Sequence, residues 1–89
     1  VPIYETSSPD QVAWILADSG ATAIIVERTA HADAVESVRD QAPGLGPVHV
    51  LDDDAVGTLI AAGRDVPDSE LEARRAALDA DSLATRIYT

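Results

Sequence analysis

Ser8-Pro9-Asp10-Gln11-Val12-Ala13-Trp14-Ile15-Leu16-Ala17-Asp18-Ser19-Gly20, followed by Ala21-Thr22-Ala23-Ile24-Ile25-Val26, decides the fold. The first stretch predicts a helix to about Ser19. Ser8 is placed as N-cap, Pro9 stands where its missing N–H costs nothing, and Gln11 can complete a capping box. Val12, Ile15 and Leu16 share one face with Trp14 at its flank, and Gly20 suits a left-handed C-cap. Ala23 to Val26 is a short, unbroken, β-branched run, the pattern of a parallel strand buried on both faces.

The alternation continues outward. A second helix is expected from about His31 to Gln41, turning Ala32, Val35, Val38 and Ala42 inward and ending at Pro43-Gly44. Val48-His49-Val50-Leu51 reads as a second strand. Asp52-Asp53-Asp54 leads into a helix from Ala55 to Ala62 with an apolar stripe of Val56, Leu59 and Ile60, closed by Gly63. Pro67-Asp68-Ser69-Glu70 opens a last, mostly charged helix to about Leu78. Leu71, Ala77 and Leu78 are its expected buried contacts. Leu83-Ala84-Thr85-Arg86-Ile87-Tyr88-Thr89 alternates as a strand, with Leu83, Thr85, Ile87 and Thr89 on one face and Ala84, Arg86 and Tyr88 on the other. Helices alternating with short apolar strands predict a parallel sheet, because parallel neighbours need crossover connections. The expected fold class is therefore α/β, a Rossmann-like three-layer subdomain with a short parallel sheet flanked by helices, spanning 1–89 as one unit.

With 89 residues, a chain buries only roughly 60–65% of its unfolded surface. Its apolar share of 46% rests on Ala, Val, Leu and Ile, with Trp14, Tyr4 and Tyr88 the aromatic residues, so the core is thin and further chain is expected to pack on it. Arginine without lysine against sixteen acidic residues gives a net charge of −10, which repels phosphate backbones and argues against a nucleic-acid partner. Absence of cysteine fits a cytoplasmic protein. No run is long and apolar enough to span a membrane, and no signal-peptide pattern opens the chain.

Local candidates for chemistry have simpler structural explanations. Gly44-Leu45-Gly46 looks like a dinucleotide fingerprint but follows a helix and precedes a strand, the wrong order, and reads as a turn. Asp52, Asp53 and Asp54 read as acids favoured at a helix N-terminus, with a metal or phosphoacceptor site as the alternative. His31 and His49 lack ligand neighbours at metal spacing. Arg74-Arg75 reads as a solvated face paired with Glu70 and Glu72, with phosphate binding as the alternative. Trp14 is expected in the core, with a lipid or partner contact as the alternative.

Three segments nevertheless carry a family resemblance: Val1-Pro2-Ile3-Tyr4-Glu5-Thr6-Ser7-Ser8 with the helix behind it, the Ala23 to Glu27 strand, and Asp81 to Thr89. In order and spacing they resemble the adenylate-forming (acyl-activating) superfamily, and within it the long-chain fatty acid–CoA ligases. Residues 28–80 match only in the order of their α/β elements. In that family a D-L-A-x-x-x-Y-T stretch runs into a Ser/Thr/Gly-rich phosphate loop with a lysine. The resemblance implies that Thr89 is the first residue of the ATP phosphate loop, that Tyr88 is the supporting strand end, and that the rest of the chain is scaffold holding no catalytic or metal-binding residue. It implies a parent enzyme using ATP with Mg2+, coenzyme A as co-substrate and a fatty acid, with this chain inactive alone and partnered by the remainder of the parent. Peripheral membrane association of the parent is compatible with that expectation. Arg86 departs from the family pattern, where an aliphatic residue is usual, and must reach water or an acid. The contrasting expectation is a stand-alone flavodoxin-like or receiver-like binding module without catalysis.

Overall fold

The computed structural model describes residues 1–89. It is a small α/β structure with four α-helices and a two-stranded parallel sheet. In chain order these are α1 (Pro9–Ser19), β1 (Ile24–Val26), α2 (Thr29–Glu36), β2 (Val48–Val50), α3 (Ala55–Ala62) and α4 (Asp68–Ala76), with single 3-10 turns at Arg39–Gln41 and Leu51–Asp53.

Helix α1 starts and stops where its sequence places the caps. The Gln11 amide N–H donates to Ser8 Oγ at 3.3 Å and the Ser8 N–H donates to Gln11 Oε1 at 2.9 Å, a reciprocal capping box. Gly20 takes the left-handed conformation with φ 67°. Its N–H donates back to carbonyls of the last turn, and a Cβ there would be strained. The buried residues Val12, Ala13 and Leu16 fix α1 on the core.

The sheet pairs Ile24 with Val48, Ile25 with His49 and Val26 with Val50. Val12, Leu16, Val35, Ala42 and Leu45 form the buried cluster, and Ile3, Ala21, Ile24, Val26 and Val48 pack against it. Only one face of β1 is covered: Ile25 is 58% exposed, which corrects the expectation of a strand buried on both faces. Period-two geometry sends Ile24 and Val26 to the core and Ile25 away from it, and no layer lies over that second face.

Helix α2 differs from the expected span at both ends. It begins at Thr29, where His31 Nδ1 reaches back to accept the N–H of the N-cap residue Arg28 at 3.4 Å, the second half of a capping box. It stops at Glu36 because the Ser37 hydroxyl takes the Ala34 carbonyl at 2.7 Å, and the chain then tightens into the Arg39–Gln41 3-10 turn. Val35, Val38 and Ala42 are still buried, so the inward face is conserved through the change of helix type. The strand expected to 51 ends at Val50, where Leu51 enters a 3-10 turn.

Helix α3 has the bounds its sequence predicts, yet its stripe is open to solvent, with Val56 57% and Ile60 63% exposed. Ala55 is its buried residue. Helix α4 ends at Ala76, short of the expected Leu78, and buries no residue; Leu71, Ala77 and Leu78, expected as buried contacts, are all exposed. Residues 83–89 form no strand, correcting the alternating pattern read from sequence. That segment lacks a strand partner and returns instead to α1.

Candidate functional site

Of the two residues implied as the approach to a phosphate loop, Tyr88 lies on the surface of α1 and Thr89, the next residue, is exposed. The Tyr88 hydroxyl donates to Asp18 Oδ2 at 2.6 Å, a short bond of the kind a carboxylate acceptor produces. The Tyr88 ring meets Trp14 edge to face, with centroids 5.3 Å apart and planes at 83°. Arg86 reaches the same place, its Nη1 donating to the Asp18 carbonyl at 3.5 Å. Arg86 and Tyr88 thus act from one side of the segment, as their alternation predicts, although no ladder holds it. Arg86 meets its polar requirement at the surface, where no buried charge arises.

Trp14 is not a core residue. It is 60% exposed, and its one aromatic partner is Tyr88. Sequence reading missed both this pairing and the role of Asp18, which stands four positions after Trp14 on the same helical face. The only local sign is an acid in the last turn of a helix, where the macrodipole disfavours negative charge and a partner is therefore needed.

The remaining candidates separate. Asp54 is the cap of α3, accepting the Gly57 N–H through Oδ1 at 3.2 Å while itself in the left-handed region at φ 57°. Asp52 and Asp53 lie exposed in the preceding 3-10 turn. No three His, Cys, Asp or Glu side chains come together as a cluster that could hold a metal ion. Gly44 and Gly46 flank the buried Leu45 in the turn before β2, and the Gly46 N–H donates to the Thr22 carbonyl at 2.9 Å. Arg39 secures this turn by donating from Nη1 to the Leu45 and Gly46 carbonyls, each at 2.9 Å, while Nε and Nη2 grip Glu36 at 2.7 and 2.8 Å. That guanidinium lowers the Glu36 carboxyl below its ordinary range, chiefly by hydrogen bonding, and Glu36 in turn raises Arg39. Arg74 and Arg75 pair with Glu70 and Glu72 along exposed α4.

An apolar groove of about 650 Å³ runs between the N-terminal segment, α1, β1 and α2. Ile3, Ile15, Leu16, Ile24 and Val26 line it, with Tyr4, Glu5, Glu27 and His31 among its polar residues. Neither Tyr88 nor Thr89 belongs to it. No helix is long and apolar enough to cross a membrane.

Comparison with known proteins covers the chain from end to end. The family described as "AMP-binding enzyme" matches residues 1–89. The chain is 42% identical over 92 residues to the long-chain-fatty-acid–CoA ligase FadD15 of Mycobacterium bovis, covering 100% of this chain and 15% of that protein. It is 41% identical over 92 residues to the FadD15 ligase of Mycobacterium tuberculosis, with the same coverage of 100% and 15%. The chain therefore spans about 15% of the length of the curated relatives it matches. No solved structure matches it.

Proposed function

As the chain belongs to the AMP-binding enzyme family over residues 1–89, we propose that it is an N-terminal subdomain of a long-chain fatty acid–CoA ligase. The observation that carries this reading is identity of 42% along the whole chain to a relative of that name. The reaction proposed for the parent has two steps. A fatty carboxylate oxygen forms a bond to the α-phosphorus of ATP, and the bond to pyrophosphate breaks. The sulfur of coenzyme A then attacks the acyl carbon, and the carbon–oxygen bond to AMP breaks to leave the thioester. Magnesium enters in this reading with ATP, where it would help neutralise the charge on the phosphates.

In this role residues 1–89 are scaffold. Thr89 opens the phosphate loop, where a hydroxyl and a backbone N–H can face phosphate oxygens, and Tyr88 anchors the chain just before it. The two-stranded sheet is proposed as part of a larger Rossmann-like, three-layer sheet, and a cytoplasmic location belongs to the same reading. Support comes from the uncovered face at Ile25 and the exposed stripe of Val56, Leu59 and Ile60, apolar surfaces that suit burial by the remainder of the parent chain. Just 8 of 89 residues are buried, which suits a subdomain completed by further packing.

The test is formation of an acyl-hydroxamate by the full-length parent from a long-chain fatty acid, ATP and hydroxylamine. Product dependent on both ATP and fatty acid is expected. Absence of product across saturated C12 to C18 acids would reject the substrate class.

A further inference from the structure

We propose that Asp18 is a positioning residue for the nucleotide: by holding the Tyr88 hydroxyl, it fixes where the chain enters the ATP phosphate loop. The inference rests on the reading of Thr89 as the start of that loop, and it adds a residue of α1 to the nucleotide's support. Three observations converge. The Tyr88 hydroxyl lies 2.6 Å from Asp18 Oδ2. Arg86, two residues earlier on the same side, reaches the Asp18 carbonyl at 3.5 Å. Trp14, one helical turn before Asp18, packs edge to face on the Tyr88 ring at 5.3 Å. Tyr88 is thus gripped at its ring and at its hydroxyl by an i, i+4 pair, which restrains both its position and its rotation.

The anchor is firm because α1 is. Its capping box, its left-handed Gly20 cap and the burial of Val12, Ala13 and Leu16 make it the best-secured helix of the chain. Thr89 follows Tyr88 directly, with Cα atoms separated by the fixed ~3.8 Å of one trans peptide. Holding Tyr88 therefore confines Thr89 to within one residue's reach of the anchor, and releasing Tyr88 removes that limit. Groups that bind phosphate need placement to about 0.5 Å, so a residue that sets the entry of the loop acts on nucleotide affinity without touching the nucleotide. An ordinary surface acid would gain nothing from this place, since the C-terminal end of a helix disfavours negative charge. The Tyr88 hydroxyl is the partner its carboxylate finds there, while Arg86 bonds the Asp18 carbonyl.

The experiment uses the full-length parent with Tyr88→Phe, Asp18→Ala, Asp18→Asn and the double variant Asp18→Ala/Tyr88→Phe. The dissociation constant for Mg-ATP is measured by calorimetry, beside the KM for fatty acid and the melting temperature. Tyr88→Phe and Asp18→Ala are expected to weaken Mg-ATP by about 3–10-fold, the range of one lost hydrogen bond. The double variant should be no weaker than the worse single one, because both remove the same contact. Asp18→Asn, which keeps an acceptor oxygen, should recover part of the loss. Fatty-acid KM and melting temperature should stay unchanged. Unaltered Mg-ATP affinity, additive losses, or a loss that follows a fall in melting temperature and in fatty-acid affinity would each overturn the proposal. Hydroxamate formation separates it from the functional reading: a shifted Mg-ATP affinity without any hydroxamate sinks the fatty-acid reading alone. A wild-type parent that binds no Mg-ATP sinks both.

Discussion

The rings of Trp14 and Tyr88 meet at 83° with centroids 5.3 Å apart, joining the C-terminal segment to the first helix of the chain. Such an edge-to-face pair contributes about 0.5–1.5 kcal/mol beyond the area it covers. Trp14→Ala is therefore expected to destabilise by at least that amount, and Trp14→Phe by less. Because Trp14 is the single tryptophan, its fluorescence reports the contact directly. Tyr88→Ala should increase acrylamide quenching of Trp14, while Tyr88→Phe should leave quenching nearly unchanged; equal quenching in all three proteins would deny the contact.

The Glu36–Arg39 pair predicts a specific acid response. The Glu36 pKa is lowered in the folded state, first by hydrogen bonding to Arg39 and then by its charge, against an opposing effect of burial. A depressed folded pKa gives stability that is present above the unfolded glutamate value and is lost as pH falls through the folded one. Urea midpoints measured downward from about pH 5 should therefore fall more steeply in the wild type than in Glu36→Gln. The pair is partly solvated, so the difference should shrink in 1 M salt. Arg39→Ala should destabilise more than Arg75→Ala, because Arg39 also ties the Leu45 and Gly46 carbonyls.

Two glycines in one turn should respond differently to the same substitution. A Cβ built at Gly46 would lie 2.9 Å from the Thr22 carbonyl oxygen, whereas one at Gly44 meets nothing within 4 Å. Gly46→Ala must push apart the backbone contact that leads into β2, at a cost of about 1–3 kcal/mol. Gly44→Ala should change stability by less than about 0.5 kcal/mol. Chemical denaturation of the two variants side by side checks the contrast.

Asp54 both caps α3 and holds a left-handed backbone. Asp54→Ala loses the cap and retains a conformation that alanine tolerates poorly, for a combined loss of about 1–3 kcal/mol. Asp54→Asn keeps an acceptor and accepts the same backbone, so it should lose only a few tenths, on the order of 0.3 kcal/mol. Far-UV circular dichroism during urea unfolding gives both values. Equal losses would show that the carboxylate charge, and not the cap geometry, supports α3.

Much of the local architecture was legible from short-range signals. Ser8, Gln11 and Gly20 delimit α1, and Asp54 with Gly63 delimit α3, because caps act between residues three or four positions apart. The α2 boundaries were not, since the reach of Ser37 to Ala34 competes locally with a helical period that continues through Val38 and Ala42. The 83–89 alternation correctly groups Arg86 with Tyr88, although a strand also needs a neighbour and none stands there. Of the site, Tyr88 and Thr89 could be named only through family resemblance, and the one local sign at Asp18, an acid in the last turn of α1, does not say which group it meets.

By itself, then, the sequence determined the α/β order, the ends of α1 and α3, the acidic surface and the family, all of which are written in contiguous residues. The tertiary structure alone decided that Trp14 leaves the core, that Val56, Leu59 and Ile60 face outward, and that Asp18 holds Tyr88. Those outcomes depend on which surfaces meet across long stretches of chain. Hydrophobic period says that a residue has an apolar face, and only packing says what that face meets.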